Sequence, residues 1–140
     1  MHQMLAHAIL GPMIGGTEQE LVEEWHGLLA RHAAVHNALE HDLQAQHGIS
    51  VSEFEALELL ASSDHGKCRG QDLTNVVHLS QSAASRLVAR LERGGLVERV
   101  MCDLDRRGIF VVLTDEGHKR YSDAKPTHRS ALARTLRADD

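Results

Sequence analysis

The sequence predicts a mainly α-helical fold that carries one small antiparallel β-wing. Three observations predict it. Apolar residues recur at helical spacing through a long first segment, residues 17–47. A helix with one apolar and one polar face is framed by Ser80 and the Gly94-Gly95 pair. Two short runs rich in β-branched residues, 96–102 and 108–114, flank a charged tip and read as a hairpin.

The first helix opens on Thr17 and Glu20, a capping-box pair, and stops at Gly48. Leu21, Trp25, Leu28, Val35, Leu39 and Leu43 form its single apolar stripe, and His32 fills the slot between Leu28 and Val35. Such a helix exceeds what one small domain needs, so it is expected to reach a partner. Ser50 with Glu53 opens a second helix whose buried positions are Phe54, Leu57 and Leu60. Residues 62–66 form a polar loop, 67–69 a short strand, and 70–77 a third, short helix. A tight turn at Leu79-Ser80 follows, and Ser80 caps the helix 81–93. Ala84, Leu87, Val88 and Leu91 face inward at i, i+3, i+4 and i+7; Gln81, Ser82, Ser85, Arg86, Ala89 and Arg90 face outward. After the hairpin, Thr114 caps a last helix reaching about residue 137, with Pro126 as an expected kink.

Composition narrows the function classes. Of 140 residues 42% are hydrophobic but only 3% aromatic, so the core must rest on Leu, Val, Ile and Ala. No apolar run approaches the ~18–20 residues of a membrane span, and the N-terminus lacks the basic residues of a signal peptide. Cys68 and Cys102 are too few for a disulfide scaffold, so a bacterial-type cytoplasm is expected. The net charge of −5 is unevenly spread. Residues 67–107 hold eight basic side chains against five acids, leaving the remainder at −8. A basic centre with acidic flanks suits a protein that meets phosphate with one face.

Two helices joined by a tight turn, the second with short polar and arginine side chains outward, followed by a hairpin, describe a winged helix-turn-helix reader of double-stranded DNA. The first turns of the second helix enter the major groove, so side chains there must be short. Ser80, Ser82 and Ser85 suit phosphates or base edges, Gln81 suits adenine, and Arg86 and Arg90 suit guanine or phosphate. In the wing, Arg107 can enter the minor groove, held straight by Asp105, while Arg106 stays near phosphates.

The run Leu79-Ser-Gln-Ser-Ala-Ala-Ser-Arg-Leu-Val-Ala-Arg-Leu-Glu-Arg-Gly-Gly-Leu-Val-Glu-Arg99, with Asp105-Arg-Arg-Gly and Val112-Leu-Thr-Asp-Glu-Gly117, resembles the MarR family of bacterial regulators. The resemblance covers about residues 18–135. It implies DNA contacts from Ser82, Ser85 and Arg86, Arg107 as the wing finger and Asp105 as its brace. It further implies a homodimer built by the first and last helices, a pseudo-palindromic operator, and a small-molecule effector pocket beside those helices. Two departures stand out. The chain ends without the further helix that completes the family's dimer interface. Met4, Leu5, Ile9, Leu10, Met13 and Ile14 are expected to pack on the partner instead. Leu104 also occupies a wing-tip position where a polar residue or proline is commoner.

The same residues bear on other function classes. Eleven histidines invite metal sensing, with His32, His36 and His41 close along one helix and His65 near Cys68. Zinc needs three or four convergent ligands, and no spacing here makes such a box, so no metal and no cofactor is expected. His32 is expected to be a buried, hydrogen-bonded residue, with a ligand-pocket or pH-responsive role second. Redox sensing needs an accessible low-pKa thiolate, which the first helix lacks. No Ser-His-Asp order, phosphate loop or framed carboxylate pair supports an enzyme. A winged-helix protein-interaction module remains, but it would have no electrostatic reason to keep Arg86, Arg90 and Arg107.

Overall fold

A computed structural model describes residues 16–63, 67–69, 79–101 and 109–138, with the backbone alone for 67–69 and 109. In order, the elements are α1 (Glu18–His47), α2 (Val51–Ser62), β1 (Lys67–Arg69), α3 (Gln81–Arg93), β2 (Val97–Met101), β3 (Ile109–Leu113) and α4 (Asp115–Leu136). The expected arm 1–15, short helix 70–77 and wing tip 103–107 lie outside the described residues.

The chain divides into two compact units, Met1–Asn37 and Ala38–Asp140. In the first, the described part is the N-terminal portion of α1. It starts where the Glu20 N–H donates to Thr17 Oγ1 at 3.2 Å. Leu21, Val22, Trp25, Leu28 and Leu29 are all exposed here, Trp25 and Leu28 by 57% each. His32 is exposed too, its ring 5.9 Å from that of His36 and nearly parallel to it. The expectation of a buried His32 is therefore wrong for the single chain. Helical periodicity identifies the face on which a residue lies. It does not say whether the chain itself supplies anything to cover that face.

The second unit holds the core. Leu39 and Leu43 of α1 are buried with Ile49, Val51, Phe54, Ala56, Leu57 and Leu60 around α2, and with the inward side of α3. α2 begins with a complete capping box: the Glu53 N–H donates to Ser50 Oγ at 3.0 Å, and the Ser50 N–H to Glu53 Oε1 at 2.9 Å. The sheet order is β1-β3-β2, all antiparallel, so β3 is the middle strand. The sequence offered the 67–69 strand without a partner; it pairs with β3 in the register Lys67–Val112, Cys68–Val111 and Arg69–Phe110.

α4 packs on α2 and runs on through Pro126. The buried His128 ring stacks on Phe54 at 4.4 Å, and Tyr121 leans on the same ring at 5.4 Å. Around this apolar contact sits a polar cluster. Glu58 accepts from Tyr121 Oη at 2.9 Å and from the Arg129 guanidinium, which also donates to His128 Nδ1 at 2.6 Å. Burial pushes the Glu58 carboxyl up, but the donors Arg129 and Tyr121 together outweigh it and hold the carboxyl below its ordinary value. Farther along α4, Arg134 donates to Asp42 at 2.9 Å and Arg120 to the His47 carbonyl at 3.2 Å, tying α4 to the end of α1.

Candidate nucleic-acid interface

The candidate interface is built on α3. Ser80 holds an extended conformation and its Oγ accepts from the Ala83 N–H at 3.2 Å, so the helix starts where a short polar residue can cap it. Ala84, Leu87, Val88 and Leu91 are buried, which fixes the rotation of the helix about its axis. The opposite side is thereby forced outward. Ser80, Gln81, Ser82, Ser85, Arg86 and Arg90 are all exposed, as their spacing required, while Ala89 at the margin is half-buried. Ser80 and Ser82 hold their hydroxyls 3.4 Å apart at the N-terminal end.

The exit from α3 is equally defined. Gly94 donates to Arg90 O, Gly95 to Glu92 O and Leu96 to Leu91 O, each at 2.9–3.0 Å. Gly95 sits at φ 75°, a left-handed conformation that favours glycine and turns the chain into β2. Thr114 then joins the wing to the next helix. Its N–H donates to Leu96 O at 3.1 Å, its hydroxyl to Gly95 O at 2.7 Å, and its Oγ1 accepts from the Gly117 N–H at 3.0 Å. Gly117 is pressed so closely on Leu96 that a side chain has no room there. The end of α3, the root of the wing and the start of α4 form one hydrogen-bonded joint.

Electrostatically, the outward side is positive. Arg86, Arg90 and Arg93 are exposed and make no ion pair among the described residues. The single acid of α3, Glu92, is paired with Arg99 of β2 at 3.4 Å. Arg93 was missing from the residues singled out in the sequence. The signal was present, because it returns to the face of Ser82 after three turns. Asp105, Arg106 and Arg107 lie outside the described residues, as do Cys102, His65 and the helix expected at 70–77. Among the described residues, no group of three or more His, Cys, Asp and Glu is placed to hold a metal ion. No described helix is long and apolar enough to cross a membrane.

Comparison with known proteins agrees with this geometry. A MarR family model matches residues 47–108. The crystal structure of AbsC, a MarR family transcriptional regulator from Streptomyces coelicolor, superposes with a TM-score of 0.78 at 31% identity, covering 86% of this chain and 80% of that one. Sco3205, a MarR family regulator of the same organism solved in complex with DNA, reaches a TM-score of 0.82 at 28% identity, covering 90% of this chain and 79% of its own. The transcriptional repressor MprA of Escherichia coli is 32% identical over 90 residues, which are 64% of this chain and 51% of MprA. The chain spans about half the length of the curated relatives it matches. With the fold, the joint between α3 and the wing, and a structural match at 31% identity that covers 80% of its own chain in agreement, this chain belongs to the MarR family of winged helix-turn-helix proteins.

Proposed function

We propose that this chain is a sequence-specific DNA-binding transcriptional regulator, without catalytic activity, that represses nearby genes. It binds a pseudo-palindromic operator as a homodimer, and a small-molecule effector releases it. One observation carries the reading: the outward side of α3 combines short hydroxyl side chains at its capped start with exposed arginines along its length. Ser82, Ser85 and Arg86 read base edges, with Ser80, Gln81 and Arg90 on neighbouring bases or phosphates. In the wing, Arg107 braced by Asp105 enters the minor groove and Arg106 meets the backbone. The exposed apolar stripe of α1, with Trp25 and Leu28, supplies the self-association surface.

The test is a binding titration of the full chain on duplexes enriched by it from a random-sequence pool, at several salt concentrations. Wild-type affinity is expected to fall steeply with salt, and Arg86→Ala is expected to lower affinity and relax preference at one base pair by about 1–3 kcal/mol. A wild-type chain with no salt-sensitive DNA affinity would falsify the proposal in favour of a protein-interaction module.

A further inference from the structure

The outward face of α3 extends beyond the residues assigned to reading DNA, and its far end has an arrangement of its own. At ~100° per residue, Arg93 returns to within ~20° of Ser82, so the two share one line along the helix. Arg93 is also nearly opposite the centre of the buried set Ala84, Leu87, Val88 and Leu91, and it is exposed. A rise of ~1.5 Å per residue separates the two positions by ~16 Å, more than the ~12 Å width of the major groove. A helix whose N-terminal turns reach the bases therefore carries Arg93 past the groove edge, where a long cationic side chain meets a phosphate rather than a base.

Beside it stands the only acid of α3. Glu92 is 45% exposed and would set a negative charge next to that phosphate. The Arg99 guanidinium, 36% exposed, lies 3.4 Å from the Glu92 carboxylate. β2 holds it there through the pairing of Arg99 with Val111.

Resting on the proposed DNA-binding function, we infer that Arg93 is the phosphate anchor at the far end of α3, and that Arg99 is a positioning residue that neutralises Glu92 beside it. Arg93 acts on affinity alone, since a phosphate is the same in every sequence. Arg99 acts through Glu92 and need not touch DNA.

The experiment uses the full chain and two 30-base-pair fluorescent duplexes, one enriched by the wild-type chain from a random pool and one unselected. Arg93→Ala should weaken both duplexes by the same factor. It should also lower the log–log salt slope by about 0.9 per protomer, or about 1.8 for a dimer. Its defect should then shrink roughly twelvefold between 50 and 200 mM salt, that slope change applied to a fourfold rise in salt. Arg99→Ala should weaken binding about twofold to threefold, the scale of one screened like-charge contact, and Glu92→Gln in the same chain should restore it. Thermal unfolding of each variant keeps folding losses apart from binding losses. An unchanged slope in Arg93→Ala overturns the inference. So does wild-type affinity in Arg99→Ala, or a defect there that Glu92→Gln leaves in place. In each of these cases salt-sensitive wild-type binding leaves the proposed function standing; a wild-type chain that binds neither duplex sinks both.

Discussion

Replacing Gly117 with alanine tests the joint on which the wing and α3 depend. A Cβ at this position would lie 2.1 Å from the Leu96 carbonyl oxygen and 2.6 Å from Leu113 Cδ1. Ordinary contact begins near 3.4 Å, so the first turn of α4 must retreat from the backbone by more than an ångström. That carbonyl also accepts the Thr114 N–H, and Gly117 itself donates to Thr114 Oγ1, so the retreat pulls on both bonds. Overpacking of this kind costs about 1–3 kcal/mol and a disturbed helix cap about 1 kcal/mol more. The expected loss is about 3 kcal/mol, equivalent to roughly 10 °C in midpoint for a chain of this size. Gly94→Ala is the matched control. Its φ is −79° and a Cβ there meets nothing closer than 3.5 Å, so stability should hold or rise by up to about 1 kcal/mol. Urea unfolding followed by circular dichroism measures both. A loss under about 1 kcal/mol for Gly117→Ala, or an equal loss for Gly94→Ala, would refute the steric argument.

Other expectations concern α4 and α1. Burial, helped by the Arg129 cation, holds the His128 imidazole below its ordinary value of 6.5, with Glu58 opposing. The unfolded chain therefore takes up the proton first, and the stabilisation is whole above pH ~6.5 and erodes as pH falls toward the depressed folded value. His128→Gln should flatten that part of the pH profile of urea midpoints; an unaltered profile would count against it. Glu58→Ala leaves Arg129 and Tyr121 without their shared acceptor and should cost about 1–2 kcal/mol by the same unfolding assay, with much less lost from the exposed Lys119–Asp123 pair. Trp25→Glu, at a position 57% exposed, should shift unfolding by no more than about 0.5 kcal/mol while weakening self-association in sedimentation. A unimpaired dimer would place the coupling surface elsewhere.

Local hydrogen bonding explains why so much of the fold was legible. Ser50 with Glu53, Ser80 and Thr114 each announce a helix start within four residues, and each makes the expected backbone bond. The inward face of α3 follows from 3.6-residue periodicity alone, and so does the exposure of its outward residues. Long-range partners left no such mark. Nothing near residues 67–69 points to β3, and nothing near Glu58 points to Tyr121 and Arg129. His32 was misplaced for a related reason, since a stripe can be continuous in sequence yet covered by the chain over only part of its length. Of the site, the α3 residues were read from pattern and the Glu92–Arg99 pair was not, because its partners sit on different elements.

The strand order carries a consequence for how the protein comes into being. β1 precedes α3 and β2 follows it, yet neither is bonded to the other; both depend on β3. During synthesis α3 emerges with its frame still open, and Arg69 waits for Phe110 before the sheet can close. Closing that span is a non-local step, slower than forming the helix itself. A nascent or truncated chain lacking residues 109–113 thus carries the outward side chains of α3 without the scaffold that aims them. The frame around α3 is completed late, with the last strand.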